Sequence, residues 1–112
     1  MSSKVFFAKV GDTKPIRHVL ERYSSGAWAP VDLTGASVRF LLATSAGVRI
    51  AGGAATIVGS ATAGTVEYGW AAGGNTMAGS FQGEWEVTFP SGVIESFPAE
   101  GYVPVEFVEQ LG

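Results

Sequence analysis

Two stretches of this chain alternate between apolar residues and polar or small ones. In the first, the apolar positions are Val66, Tyr68 and Trp70, and in the second they are every second residue from Phe81 to Phe89, with a glycine at position 83. A period of two is typical of β-strands, because successive Cβ atoms point to opposite faces of a sheet. Short strands separated by turn signals predict a β-sandwich or barrel.

Shorter β-rich runs, separated by turn residues, recur along the rest of the chain. With the two stretches above they predict an all-β domain of about seven to nine strands over residues 1–112. A helix is the alternative for Arg17 to Tyr23, but that run is too short to be stable alone. The further predicted strands are Lys4 to Val10, Ile16 to Tyr23, Ala36 to Thr44, Val93 to Phe97 and Gly101 to Val108.

The segments between these strands give weaker signals. The Gly- and Ala-rich stretch from Ser45 to Ser60 predicts a hairpin at a sheet edge, and Ala71 to Gly79 predicts a loop with one helical turn. Ala27 to Gly35 reads as an extended loop that then turns. Proline lacks the N–H of a central strand, so Pro104 predicts that the last strand lies at an edge or begins after it.

Composition excludes several kinds of function. The chain has no cysteine, so it has neither disulfides nor thiolate zinc sites, and no cofactor is expected. Its seven basic residues are scattered and its net charge is −3, which does not predict nucleic-acid binding. No apolar stretch is long enough to span a membrane, and the apolar run near the N-terminus is only four residues long before Lys9. We therefore expect a soluble protein made in the cytoplasm.

An ordered set of short motifs resembles one family. Taken together, they are similar to the immunoglobulin-like domain at the N-terminus of baseplate upper proteins of tailed bacteriophages, which recurs in other phage tail and virion proteins. The resemblance extends from about Val5 to Phe107. The residues that carry it are Asp12-Thr13-x-Pro15, Val31 to Phe40, Gly64 to Trp70, Ala78 to Thr88, Ser91-Gly92 and Phe97-Pro98.

The resemblance implies a single immunoglobulin-like antiparallel β-sandwich without enzymatic activity. It would attach, space or decorate within a virion, having been made in the host cytoplasm. Tail or baseplate is the expected position, and capsid decoration or a head-to-tail role is the alternative. The expected partners are other virion proteins and further copies of the chain, because ring-like virion positions require repeated interfaces.

Four apolar residues are candidate partner contacts: Phe6, Phe7, Trp28 and Leu41. Phe6 and Phe7 are adjacent, so a strand points one of them away from the core. Leu41 lies between inward-facing residues of its strand, so its side chain points to the opposite face. Trp28 has no strand pattern around it, so it either caps the end of the sandwich or stacks on a partner. A carbohydrate-binding module for host glycans is the functional alternative, using Trp28 with Tyr23 or Tyr102.

Catalytic residues are sparse. His18 is the single histidine, no Gly-x-Ser-x-Gly elbow accompanies it, and we interpret it as a surface or interface residue. Glu84 and Glu86 alternate on one strand face, and Glu95 is placed opposite them on the next strand. Paired carboxylates of this kind hydrolyse glycosidic bonds or help to bind calcium, but strand alternation alone also predicts a solvated outer face. We expect the latter, and no enzyme.

Overall fold

The computed structural model describes residues 4–70, 77–109 and 111, and within them the chain is built almost entirely from strands. The predicted loop from Ala71 to Gly79 falls largely on residues 71–76, outside the described residues. None of the described helical residues forms a segment that is long and apolar enough to cross a membrane. The elements are β1 (Phe6–Lys9), β2 (Ile16–Val19), β3 (Glu21–Ser24), β4 (Ala27–Pro30), β5 (Ser37–Thr44), β6 (Arg49–Ala54), β7 (Thr56–Ile57), a 3₁₀ helix (Ala61–Ala63), β8 (Thr65–Tyr68), β9 (Gly79–Thr88), β10 (Ile94–Phe97) and β11 (Val103–Val108).

The strands form two facing sheets and a separate hairpin. Sheet A has six strands in the order β1-β11-β9-β5-β6, with β10 also paired to β9. Sheet B has three strands in the order β2-β8-β7, and β3 pairs with β4 alone. Every described pair is antiparallel except β1 with β11, which is parallel.

The core lies between the two sheets and is rich in aromatic rings. Phe40 of β5 lies at its centre, with its ring centroid 4.6 Å from that of Trp85 and 6.1 Å from that of Trp70. The inward residues of β5 and β9 are buried, as their alternation predicts. The prediction of an all-β sandwich is therefore confirmed. The larger buried side chains include Ile16, Leu20, Leu33, Phe40, Leu42, Trp70, Trp85, Phe97 and Phe107.

The run from Ile16 to Tyr23 is not one strand but two, and it is not helical. At Leu20 the chain leaves sheet B: the Leu20 N–H donates to the Gly64 carbonyl, and the Leu20 carbonyl accepts from the Val31 N–H. The following strand, β3, pairs with β4, so the expectation of an irregular loop around Trp28 is wrong. The turn between them is Ser25-Gly26, both with positive φ, as a tight hairpin requires.

The stretch from Ser45 to Ser60 does not pair with itself as a hairpin. Its first half, β6, pairs with β5 at the edge of sheet A, whereas β7 pairs with β8 at the edge of sheet B. The crossing occurs at Ala55, whose N–H donates to the carbonyl of Val38. The hairpin at this edge is therefore β5–β6, joined by a turn between Thr44 and Val48.

The last strand is interior to sheet A and already includes Pro104, so both predicted alternatives, an edge position or a start after Pro104, are wrong. β11 lies between β1 and β9. Pro104 is tolerated because the pairing with β1 begins only at Val105, opposite Phe6. At Pro104 the strand thus has a neighbour on one side only, and the missing N–H interrupts no pairing with β1.

Candidate functional site

The hairpin β3–β4 carries two exposed aromatic side chains at its tip. Tyr23 and Trp28 are directly opposite each other across the pair, and their side chains are 60% and 54% exposed. Their ring centroids lie 5.5 Å apart at an interplanar angle of 66°. Trp28 therefore does not cap the core. It forms an edge-to-face pair with Tyr23 that remains open to solvent.

A cleft of about 560 Å³ lies between this hairpin and the segment from Glu95 to Glu100. Tyr23 and Trp28 contribute aromatic surface to it, and Phe97 and Pro98 contribute further apolar surface. Three acidic residues, Glu21, Glu95 and Glu100, also line the cleft. Its volume lies within the range of small-ligand sites, and its lining mixes apolar surface with charge.

Arg22 links the hairpin to β10 in the wall of this cleft. Its Nη2 donates to Glu95 Oε1 at 2.5 Å and its Nε to Glu95 Oε2 at 3.4 Å. The guanidinium also lies 5.9 Å from the ring centroid of Phe89 and 6.0 Å from that of Phe97. This two-point pairing with a carboxylate connects β10 to the hairpin.

Phe6 and Phe7 point to opposite faces of sheet A, as their adjacency predicts. Phe6 packs inward against Trp70, with centroids 6.1 Å apart, and Lys14 Nζ lies 5.9 Å from the Phe6 ring centroid. Phe7 is 63% exposed on the outer face of β1. Val5 and Val108, on the same side of this edge, are also exposed. Of the two phenylalanines, only Phe7 is therefore available to a partner.

Leu41 lies on the outer face of sheet A, half-buried between neighbouring strands. It is opposite Gly52 on β6 and Glu84 on β9. A shallow depression of about 230 Å³ beside it is also lined by Arg49 and Tyr102. Phe7 and Leu41 thus lie on the outer face of the same sheet but on strands that do not pair with each other, whereas Trp28 lies on the separate β3–β4 hairpin.

The grouping of Glu84, Glu86 and Glu95 that a paired-carboxylate site would require does not form. Glu95 is opposite Val87 in the β9–β10 register, so it points to the other side of sheet A from Glu84 and Glu86. Glu95 instead pairs with Arg22, and Glu86 Oε1 accepts from Arg39 Nε at 2.8 Å. The three carboxylates therefore do not face a common substrate or ion. Among the described residues, no group of three or more acidic or histidine side chains is arranged to hold a metal ion.

His18 faces the core, so its interpretation as a surface or interface residue is wrong. It lies opposite Val66 in sheet B, and its Nδ1 accepts a hydrogen bond from Trp85 Nε1 at 2.9 Å. Burial lowers the pKa of His18 below its usual value. A neutral ring with an unprotonated Nδ1 is what this hydrogen bond requires.

Asp32 is shaped by a local turn. Its Oδ1 accepts from the Thr34 hydroxyl at 2.6 Å and from the Thr34 N–H at 2.9 Å. These hydrogen bonds, that of the hydroxyl first, hold the pKa of Asp32 below its usual value. Asp32 is exposed. Its hydrogen bonds to Thr34 stabilise the turn that precedes β5, as Asp side chains do in turns.

The sequence reasoning missed Glu21, Arg22 and Glu100 as cleft residues. Glu95 and Arg22 are 73 positions apart, and no local pattern connects them. The one available signal was Ser25-Gly26, a dipeptide typical of turns, which would have indicated the hairpin and hence the opposition of Tyr23 and Trp28.

The chain matches no family model. No curated protein and no solved structure matches it either.

Proposed function

We propose that this chain is a non-enzymatic structural protein of a tailed-phage virion, associated with the tail or baseplate. It acts by assembling with copies of itself and with neighbouring virion proteins. The two-sheet architecture is compatible with the immunoglobulin-like domain that the sequence motifs resemble. A capsid-decoration or head-to-tail role is the alternative position for the same assembly function.

The observation that carries this proposal is the edge strand β1. Among the described strands it pairs only with β11, and its outer face presents Phe7, which is 63% exposed. Val5 and Val108 extend this apolar surface. An exposed apolar patch on the last described strand of a sheet supplies contact area for a second chain.

The first experiment is light scattering on the purified protein over a wide concentration range. We expect a discrete oligomer, and we expect the variant Phe7→Ser to dissociate already at concentrations at which the unchanged protein remains assembled. The matched control is Ile94→Ser, because Ile94 is similarly exposed, at 61%, but lies on β10. A monomer at every concentration would contradict self-assembly. Assembly with a different virion protein would then be the part of the proposal still to be tested.

Virion membership needs a separate test. Mass spectrometry of purified phage particles, induced from a strain that carries the gene, should detect the chain in a fixed ratio to the other particle proteins. If the chain is abundant in the lysate but absent from intact particles, both the tail position and the capsid position are contradicted.

Glycan binding is supported less well by the geometry. A sugar-binding row needs coplanar exposed rings, but Tyr23 and Trp28 are inclined at 66°. Tyr102 lines the separate depression beside Leu41. The cleft would accommodate a single sugar ring stacked on Trp28. Binding of a neutral oligosaccharide is therefore one outcome of the cleft experiment below.

A further inference from the structure

The cleft beside Tyr23 and Trp28 carries unbalanced negative charge. Of its three carboxylates, Glu95 is paired with Arg22. Within the described part of the chain, Glu21 and Glu100 have neither an ion pair nor a hydrogen bond to their side chains. Counting Glu21, Glu95 and Glu100 against Arg22, the lining has an excess of two negative charges. It would therefore attract a cation and disfavour an anion.

The aromatic pair adds a second kind of attraction for a cation. A ring face binds an ammonium or guanidinium group when the charge lies within about 6 Å of the ring centroid. Tyr23 and Trp28 present two rings at a steep angle, 66°, as two walls rather than one flat surface. The same protein already uses this interaction, since the Arg22 guanidinium lies 6.0 Å from the centroid of Phe97 in the same cleft.

The size and openness of the site favour a side chain that enters from another molecule. The space of about 560 Å³ lies beside the Arg22–Glu95 pair and is open to solvent. The two acidic residues without an ion pair, Glu21 on β3 and Glu100 after β10, both line the cleft. They come from distant parts of the chain. A long basic side chain can extend its apolar stem along the rings while its charge reaches a carboxylate.

We propose that this cleft receives a lysine or arginine side chain from a partner protein. The inference rests on the proposed assembly function and gives the chemistry of one contact: a basic segment of a neighbouring protein docks on the Tyr23–Trp28 hairpin. It uses a surface different from the β1 edge, so one chain can contact a copy of itself and a second partner at the same time.

The experiment is an NMR titration of the full chain with short capped peptides. One peptide contains a single arginine, a second a single lysine, and a third citrulline, which has the shape of arginine without its charge. We expect the indole N–H of Trp28 to shift with the arginine and lysine peptides and not with citrulline. The double variant Glu21→Gln/Glu100→Gln should bind about three- to tenfold more weakly.

The matched control is Glu84→Gln, which removes a half-buried carboxylate from the outer face of sheet A and should leave peptide binding unchanged. Thermal unfolding of each variant verifies that the fold is retained. Equal binding of the citrulline and arginine peptides would overturn the inference, as would no binding of any peptide. Shifts at Trp28 with neutral oligosaccharides but not with basic peptides would also overturn it and would identify a glycan site.

The inference and the proposed function fail separately. Loss of peptide binding in the cleft leaves the oligomer and its sensitivity to Phe7→Ser intact. Conversely, a monomeric protein that is absent from phage particles contradicts the assembly function even if the basic peptides bind.

Discussion

Trp85 Nε1 donates a hydrogen bond to His18 Nδ1 at 2.9 Å, joining sheet A to sheet B across the core. The two rings also meet edge to face, with centroids 5.8 Å apart. Trp85 is fully buried, so its N–H has no access to water as an alternative acceptor. The single histidine of the chain is therefore a structural residue that satisfies a buried donor.

Replacing His18 with alanine should destabilise the fold. The Trp85 N–H would lose its acceptor inside the core, which costs about 1–3 kcal/mol in the free energy of unfolding. Urea unfolding followed by tryptophan fluorescence measures this loss. The control is Arg17→Ala on the same strand, because Arg17 points outward and forms an exposed ion pair with Glu67 at 2.9 Å. That variant should lose at most about 1 kcal/mol, and equal losses would contradict the role of His18.

Stability should also depend on the protonation of His18. Burial lowers its pKa in the folded protein, so the unfolded chain binds more protons in this range and stability rises with pH. The contribution is complete above the ordinary histidine pKa of about 6.5 and falls as the pH drops below it. Protonation at Nδ1 would also break the bond to Trp85. We expect lower urea midpoints at about pH 5.5 than at about pH 7.5.

The test variant for this pH dependence is His18→Gln, which retains an acceptor and does not titrate. Its urea midpoint should change much less over the same interval. An unchanged pH dependence in His18→Gln would assign the effect to other groups and contradict the prediction.

The strand pattern could be predicted from sequence where the alternation was long. β5, β8 and β9 have clear inward and outward sets because each has one face in the core. Pairing partners could not be predicted in the same way. β6 and β7 are adjacent in sequence but join different sheets, and this choice depends on contacts with distant strands.

The candidate site was predictable only in part. The exposure of Phe7 follows from two adjacent aromatics in a strand, and Trp28 was identified as unusual. Its cleft was not, because the cleft depends on Arg22 meeting Glu95 from 73 positions away. His18 was misinterpreted although a local signal existed: it alternates with Ile16 and Leu20, which are both fully buried, and so shares their inward face.

Gly83 is required by the packing of Phe40. A Cβ at position 83 would lie 2.4 Å from Phe40 Cζ and 2.9 Å from Cε1. The Phe40 ring is fully buried and has little space to withdraw. Gly83→Ala should therefore reduce the free energy of unfolding by about 1–3 kcal/mol. The control is Gly69→Ala, since a Cβ at position 69 meets no atom within 4 Å. Similar stability of the two variants in urea unfolding would contradict this packing argument.

The two most buried tryptophans should respond differently to phenylalanine. Trp70 is 4% exposed and its Nε1 has no hydrogen-bond partner within the described structure, whereas Trp85 Nε1 is bonded to His18. Trp70→Phe removes an unsatisfied donor, which offsets part of the loss of ring volume, but Trp85→Phe loses both volume and a hydrogen bond. We expect Trp85→Phe to be the less stable variant by about 1–2 kcal/mol in urea unfolding. Equal losses would show that packing alone determines both sites, and a larger loss in Trp70→Phe would indicate an acceptor for its N–H.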